Sequence, residues 1–324
     1  MDLKNLIKRQ KMMTTVLTAL CPLVIASVFF YGWRTIAVQL VVMLSAILAE
    51  YAFLYKEKKP VTEAVLVTSV LYTLTLPPSI PFWIAVVGIV FGVVFAKMAF
   101  GGFSKNVFNP ALVARAFVYV CFPNYMTIRW TQASAGFPGG LTKWLNPMVE
   151  AITTATPLIR YRSEGTLTEL SSLLLGNIGG VMGETSKVLI LLGGGYLIYK
   201  KVAAWQIMVA CLIGFVGTGS LLSLVTGSIA MESVLYGVVS GGFLFGAAFM
   251  ATDPISASST KEGKWIYGII VGMVTFIIRG FSLFAEGMMF AILIGNTFVP
   301  LIDELVKMKN NKKKAQKKGA VANG

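Results

Sequence analysis

The chain has 324 residues, 56% of them hydrophobic and 13% charged, with a net charge of +14 and no histidine. Its mean hydropathy is +0.75; a soluble domain carries far more charge, so the chain reads as an all-α polytopic membrane protein, and continuous rather than alternating apolar runs argue against a barrel. Without histidine there is no His-ligated haem, His-based zinc site or histidine general base, and Cys21, Cys121 and Cys211 stand singly in apolar runs, outside any iron–sulfur or disulfide framework.

About ten transmembrane helices are expected. The basic start MDLKNLIKRQK leads straight into span 1 (14–32) with no small-residue cleavage site, which predicts no cleaved signal peptide. Span 2 (35–55) ends at the basic turn KEKKP. Span 3 begins near Val61 and breaks at Leu76-Pro-Pro-Ser-Ile-Pro81, and span 4 covers 82–100. Pro110 opens a fifth span ending near Phe122, too short to cross the hydrocarbon alone. A long polar segment (123–187) follows. Spans 6 to 10 cover 188–199, 203–225, 229–250, 265–284 and 287–306, and a lysine-rich tail closes the chain. Span 8 is rich in small residues, which suits close helix contact, and breaks at Ala251-Thr-Asp-Pro254.

The basic residues orient this pattern. With the N-terminus inside, 20 of the 28 lysines and arginines fall on the inner side, six on the outer side and two, Arg115 and Arg279, within spans. Both termini are therefore expected in the cytoplasm and segment 123–187 on the outer face of a bacterial or archaeal cell membrane. The surplus charge reads as a topology and lipid-contact feature, with no nucleic acid as partner. Five spans precede the outer segment and five follow it. The third span of each half ends in a proline break, near the outer side in one half and the inner side in the other. That arrangement predicts two inverted five-helix repeats with interrupted helices, 1–122 and 188–306, separated by the outer segment and followed by a basic cytoplasmic tail (307–324). Proline kinks are also common in unrelated membrane helices.

The polar segment contains Val149 to Leu158, written VEAITTATPL. Proline disfavours the α region in the residue before it, so Thr156 is expected on extended backbone with a free hydroxyl, near Arg160 and Arg162. A hydroxyl so placed also suits an N-cap, with Pro157 as the first helical residue. The run Glu150-Ala-Ile-Thr153-Thr154-Ala155-Thr156 resembles the flavinylation motif D-x-x-(S/T)-G-A-T, with Glu150 in place of Asp and Thr154 in place of Gly. That motif belongs to the membrane flavosubunits of two complexes, RnfD of the Rnf complex and NqrB of the Na+-translocating NADH:quinone reductase. The resemblance implies covalent FMN in phosphoester linkage to Thr156, with Thr153 and Ala155 in the recognition motif. Arg160 and Arg162 are candidates to neutralise the flavin phosphate; solvated loop arginines are the simpler alternative.

Two further segments carry the resemblance over most of the chain. GGFSKNVFNPALVARAF (101–117) contains Asn106 and Asn109, three apart and able to share a helical face with donors and acceptors for a flavin edge. The resemblance implies a non-covalent riboflavin near this end in the reductase relatives; capping of the fifth helix is the alternative role. FMATDPISASSTKEGKWIYG (249–268) contains Asp253, an acid at a helix break, which in low dielectric must be paired, protonated or cation-bound. It is the first candidate for a Na+ or H+ pathway residue. An N-cap of span 9, with Pro254 first in the helix, would also explain it. Arg115 is expected to pair with a carboxylate or helix carbonyls, while Glu50 and Glu63 read as interfacial and Glu232, Arg279 and Glu286 as lying near outer ends.

Two functions follow. The first is a redox subunit of an ion-translocating complex, passing electrons through its flavin and coupled to Na+ or H+. The short N-terminal region resembles the Rnf type (ferredoxin:NAD+ oxidoreductase), which implies its subunits A, B, C, E and G as partners. No G-x-G-x-x-G after a strand and no cysteine cluster occur, so NAD and ferredoxin are expected to meet other subunits. The second is a stand-alone transporter or channel, since inverted repeats and interrupted helices also build those.

Overall fold

The computed structural model describes residues 7–134, 136–145, 156–184, 186–226, 231–282, 284 and 286–322, without the side chains of 231, 232, 314, 315 and 317–322. Strand β1 (Ile7–Lys8) precedes helix α1 (Lys11–Tyr31), and α2 (Arg34–Leu54) returns beside it. Strand β2 (Val61–Thr62) pairs in parallel with β1, Ile7 opposite Val61 and Lys8 opposite Thr62. No such pair is predicted by the sequence, and it fastens the N-terminal segment to the start of α3 (Ala64–Leu74). Helix α4 (Phe82–Val93) runs back and continues as a π-helical turn over Val94–Met98; α5 (Pro110–Cys121) and α6 (Pro123–Thr127) complete the first half. Helices α7 (Pro157–Glu164) and α8 (Leu170–Leu175) lie in the polar segment. The second half contains α9 (Lys187–Tyr199), α10 (Trp205–Thr226), α11 (Met231–Val239), α12 (Phe243–Phe245) with a second π-helical turn at Gly246–Met250, α13 (Lys261–Phe281) and α14 (Met288–Ala322).

Every predicted span is helical, because a backbone in hydrocarbon must satisfy its N–H and C=O groups within its own segment. Among the described residues, five helices are long and apolar enough to cross alone: α1, α2, α10, α13 and α14. Twenty-one residues span about 31 Å, the thickness of the hydrocarbon core. The eighth span is a pair bent by 58° at Ser240–Gly242, and four apolar helices among the described residues, α3, α4 with its π-helical turn, α5 and α9, have only 10–17 residues. The expected bounds already make α5 and α9 short; α3, with 11 residues, is short as well. Span 9 also begins earlier than expected. Thr260, not Asp253, caps α13, its side chain accepting from Gly263 N at 3.2 Å.

The two breaks sit at opposite ends of the bundle and are closed by protein. At the end of α3, the carbonyls of Leu74 and Leu76 accept from Gly183 N at 2.7 Å and Met182 N at 3.1 Å. Buried Arg34 donates to Pro78 O and, at 2.5 Å, to Ile80 O. At the other end, Asn109 donates to Met250 O at 3.4 Å and Asn296 to Ser256 O at 3.0 Å. Asp303 accepts from Ser258 Oγ at 2.5 Å, Ser259 N at 2.9 Å and Thr260 Oγ1 at 2.8 Å. Irregular backbone survives at membrane depth only where protein groups answer it in this way.

Small residues let α10 and α13 touch through their backbones. A Cβ on Gly272 would lie 2.1 Å from Cys211 O, and one on Gly214 would lie 2.3 Å from Ile269 O. In span 8, where close contact is expected, Gly246 faces Met288 and Gly242 faces Glu184.

Candidate functional site

Thr156 stands on extended backbone (φ −61°, ψ 158°) with Pro157 as the first residue of α7. Its hydroxyl accepts from Ile159 N at 3.4 Å, so the capping role is present, through a long hydrogen bond. The eight-residue α7 is held in place from outside. Tyr236 OH donates to Pro157 O at 3.3 Å, Tyr161 hydrogen-bonds Ser233, and Arg162 donates to Ser282 O. Gly165, at φ +66°, ends the helix in the left-handed region that favours glycine.

Thr156 opens on a cavity of about 340 Å³ walled by Tyr119, Met126, Trp130 and Arg162. That volume is within the range of cofactor clefts. The floor is charged: Glu184, Lys187 and Glu286 line it. Arg115 ion-pairs with Glu286 and lies 3.8 Å from Glu184. Lys187 Nζ donates to Glu184 O at 2.6 Å and to Gly241 O at 2.9 Å. Glu184 Oε1 and Arg115 Nε are buried without a hydrogen-bond partner. An aromatic wall, a threonine hydroxyl held only by a long hydrogen bond, and the Arg162 guanidinium in the lining fit a flavin with its phosphate at the mouth.

A second cavity lies at the other end, where α3 and α5 begin and the α12 segment breaks. It gathers Lys97, Asn106, Asn109 and Asp253. Asn109 caps α5 by accepting from Ala111 N at 3.0 Å, the alternative role expected, whereas Asn106 donates to Phe108 O at 3.0 Å and does not cap the helix. Asp253 accepts from Ser256 Oγ at 2.7 Å. The free space is about 60 Å³, room for a few waters. Admitting a riboflavin ring would require the enclosing side chains to move.

The sequence-predicted residues thus divide between two cavities: Thr156 at one, Asn106, Asn109 and Asp253 at the other. Thr153 and Ala155, with Glu150 and Thr154, lie outside the described residues, as does the side chain of Glu232. Arg160 is not in the cavity wall; it is largely exposed and 3.5 Å from Glu164, one helical turn away. Arg115 pairs with a carboxylate as expected. Glu50 and Glu63, near the ends of α2 and α3, are buried within the protein: Glu50 pairs with Lys97 at 2.6 Å, and Glu63 accepts from Thr14 Oγ1 at 2.8 Å. Sequence reasoning missed Lys97, Glu184, Lys187, Asn296 and Asp303. Lys97 had a signal, a cation inside the apolar run VVFAKMAF, but proximity to a span end placed it among the inner loops.

Residues 3–312 match the family model described as the NQR2, RnfD, RnfE family. The B subunit of the Na(+)-translocating NADH-quinone reductase of Klebsiella pneumoniae (strain 342) is 39% identical over 273 residues, 82% of this chain and 64% of that protein. The B subunit of the same reductase from Azotobacter vinelandii is 41% identical over 273 residues (82% and 65%), and that from Pseudomonas aeruginosa (strain LESB58) 40% over 276 residues (83% and 66%). The chain therefore spans 64% to 66% of the length of these relatives.

Proposed function

The chain belongs to the NQR2, RnfD, RnfE family, and on that premise we propose that it is the flavin-carrying membrane subunit of an ion-translocating oxidoreductase complex, with FMN joined to Thr156 by a phosphoester. The observation that carries this reading is the position of Thr156, extended before Pro157 with its hydroxyl at the mouth of the 340 Å³ cavity. When bound, FMN supplies one-electron transfer. The chain's own residues do the rest. Thr156 anchors, Trp130 and Tyr119 offer ring surfaces that exclude water, and Arg162 at the wall supplies a guanidinium within the mouth. No motif for NAD or ferredoxin is present, so electrons enter and leave through other subunits.

The partner set read from the sequence is the Rnf type, with ferredoxin and NAD+ as terminal partners. A second reading, a counterpart of the B subunit of a Na+-translocating NADH:quinone reductase, is favoured by relatives about 40% identical. Reduction of added quinone by NADH, against reduction of NAD+ by reduced ferredoxin, separates the two in membranes containing the intact complex. A stand-alone transporter would hold no covalent flavin.

The proposed topology puts both termini in the cytoplasm and Thr156 on the outer face, with the halves 1–122 and 188–306 as inverted repeats. It is supported by the distribution of the basic residues along the sequence. Asp253 and its cavity would then face the cytoplasm as part of the Na+ or H+ path. The test of the whole reading is a flavin-fluorescent band on a denaturing gel, from chain made with its flavin-attaching enzyme and compared with Thr156→Ala.

A further inference from the structure

Five ionisable side chains from five places in the sequence meet beneath the Thr156 cavity. Arg115 comes from the middle of α5, Glu184 from the loop before α9, Lys187 from its first turn, Arg279 from the end of α13 and Glu286 from the loop before α14. Arg115 holds Glu286 directly and Glu184 at 3.8 Å. Lys187 reaches Gly241 O at 2.9 Å, and Arg279 lies on the other side of that glycine, with a Gly241 Cβ position 3.1 Å from its Nη2. Arg279 is in electrostatic range of both carboxylates. By formal charge, three cations face two anions, an excess of one positive charge.

A surplus charge that is buried is costly and needs a compensating partner. Buried Arg115 Nε and Arg279 Nε and Nη2 have no hydrogen-bond partner, and neither does Glu184 Oε1. Three of the five groups line the cavity, so its contents feel this field with little screening. A structural ion-pair network would be expected to close on itself. This one leaves those atoms unanswered and places Glu184, Lys187 and Glu286 on the cavity wall.

We propose that this cluster sets the reduction potential of the flavin carried by Thr156, its surplus positive charge favouring the reduced ring and Glu184 tempering that preference. The inference rests on the flavin reading above. Reduction adds an electron to the ring from the reductant; the cluster changes no bonds and acts through its field alone. Glu184 and Lys187 are tuning residues, since Glu184 Oε1 is closed off behind Gly242 and Lys187 has two of its three donors occupied.

The test is a reductive titration with dithionite, followed by flavin absorbance, on purified chain made with its flavin-attaching enzyme. Glu184→Gln removes a negative charge at nearly constant shape and should move the midpoint to more positive potential. Lys187→Met removes a positive charge and should move it to more negative potential, while Glu184→Asp should stay near the parent. Glu286→Gln, also neutralising a cavity carboxylate, should move it in the direction of Glu184→Gln and serves if that variant is not recovered. Shifts of opposite sign for lost anion and lost cation support the proposal, because a merely structural role does not order its effects by charge. Unchanged midpoints, or shifts of one sign for both, overturn it. A parent chain without covalent flavin instead overturns the reading on which it rests.

Discussion

At the Asp253 end of the bundle, polar groups are closed on one another. Asp303 gathers three side-chain hydroxyls and two backbone N–H groups from residues 258–260, and Lys97 is enclosed by Glu50 at 2.6 Å and Thr62 at 2.8 Å. The space left is about 60 Å³. At the Thr156 end, the cavity is about 340 Å³, and buried polar atoms on Arg115 and Glu184 remain unanswered. Both ends carry intramembrane charge beside a helix break. They differ in whether the protein alone satisfies it: the Thr156 end suits the proposed bound flavin, while Asp303 and the Glu50–Lys97 pair brace the fold at the Asp253 end. Charge changes at the Thr156 end should therefore alter the flavin, and changes at Glu50, Lys97 or Asp303 should alter stability.

The largest effect expected is at Thr156. Thr156→Ala should abolish covalent flavin while leaving the helices intact, because the lost cap is worth about 1 kcal/mol. Flavin fluorescence after denaturation and far-ultraviolet circular dichroism check the two parts; loss of both together would remove the contrast between the ends. Next come the buried pairs. Glu50→Ala strands Lys97 in a site where it is 2% exposed, and should cost about 3–5 kcal/mol in detergent unfolding. The double change Glu50→Leu with Lys97→Met should cost less than that single one. A double change that costs more would mean the pair does more than brace the fold.

Asp303→Ala leaves several donors near residues 258–260 without an acceptor and should destabilise by about 2–3 kcal/mol, read in the same unfolding experiment. Asp303→Asn, which keeps acceptor oxygen, should recover part of the loss. The smallest effect belongs to Arg160, whose side chain is 58% exposed. Arg160→Ala should change stability by no more than about 0.5 kcal/mol and leave flavin content at the parent level. A large fall in flavin would bring Arg160 into the cavity chemistry and widen the site beyond Arg162.

Much of this was legible in the sequence, for physical reasons that also set the limits. Apolar runs mark helices because hydrocarbon leaves the backbone no other partner, so each predicted span coincides with a helix, although only five, or six with the bent pair, are long enough to cross among the described residues. Their lengths were harder to read, because a helix such as α3 stops where partners for its carbonyls arrive from 182–183, more than a hundred residues away. Thr156 before Pro157 announced both an extended backbone and a cap. The cap of α13 was misjudged because Asp253-Pro254 and Thr260 both suit a helix start; Asp303, on the next helix, holds residues 258–260 and so decides for Thr260. Lys97 and Arg34 passed as loop charges because a count of basic residues near span ends cannot tell a snorkelling lysine from a buried one. Glu184 stood in no motif, and only the fold brings it under the cavity.

The most direct test of the covalent-flavin assignment is peptide mass spectrometry of the chain made with its flavin-attaching enzyme. The expected result is the mass of FMN in phosphoester linkage on the peptide containing Thr156, absent from Thr156→Ala. An unmodified Thr156 peptide from that preparation would contradict it.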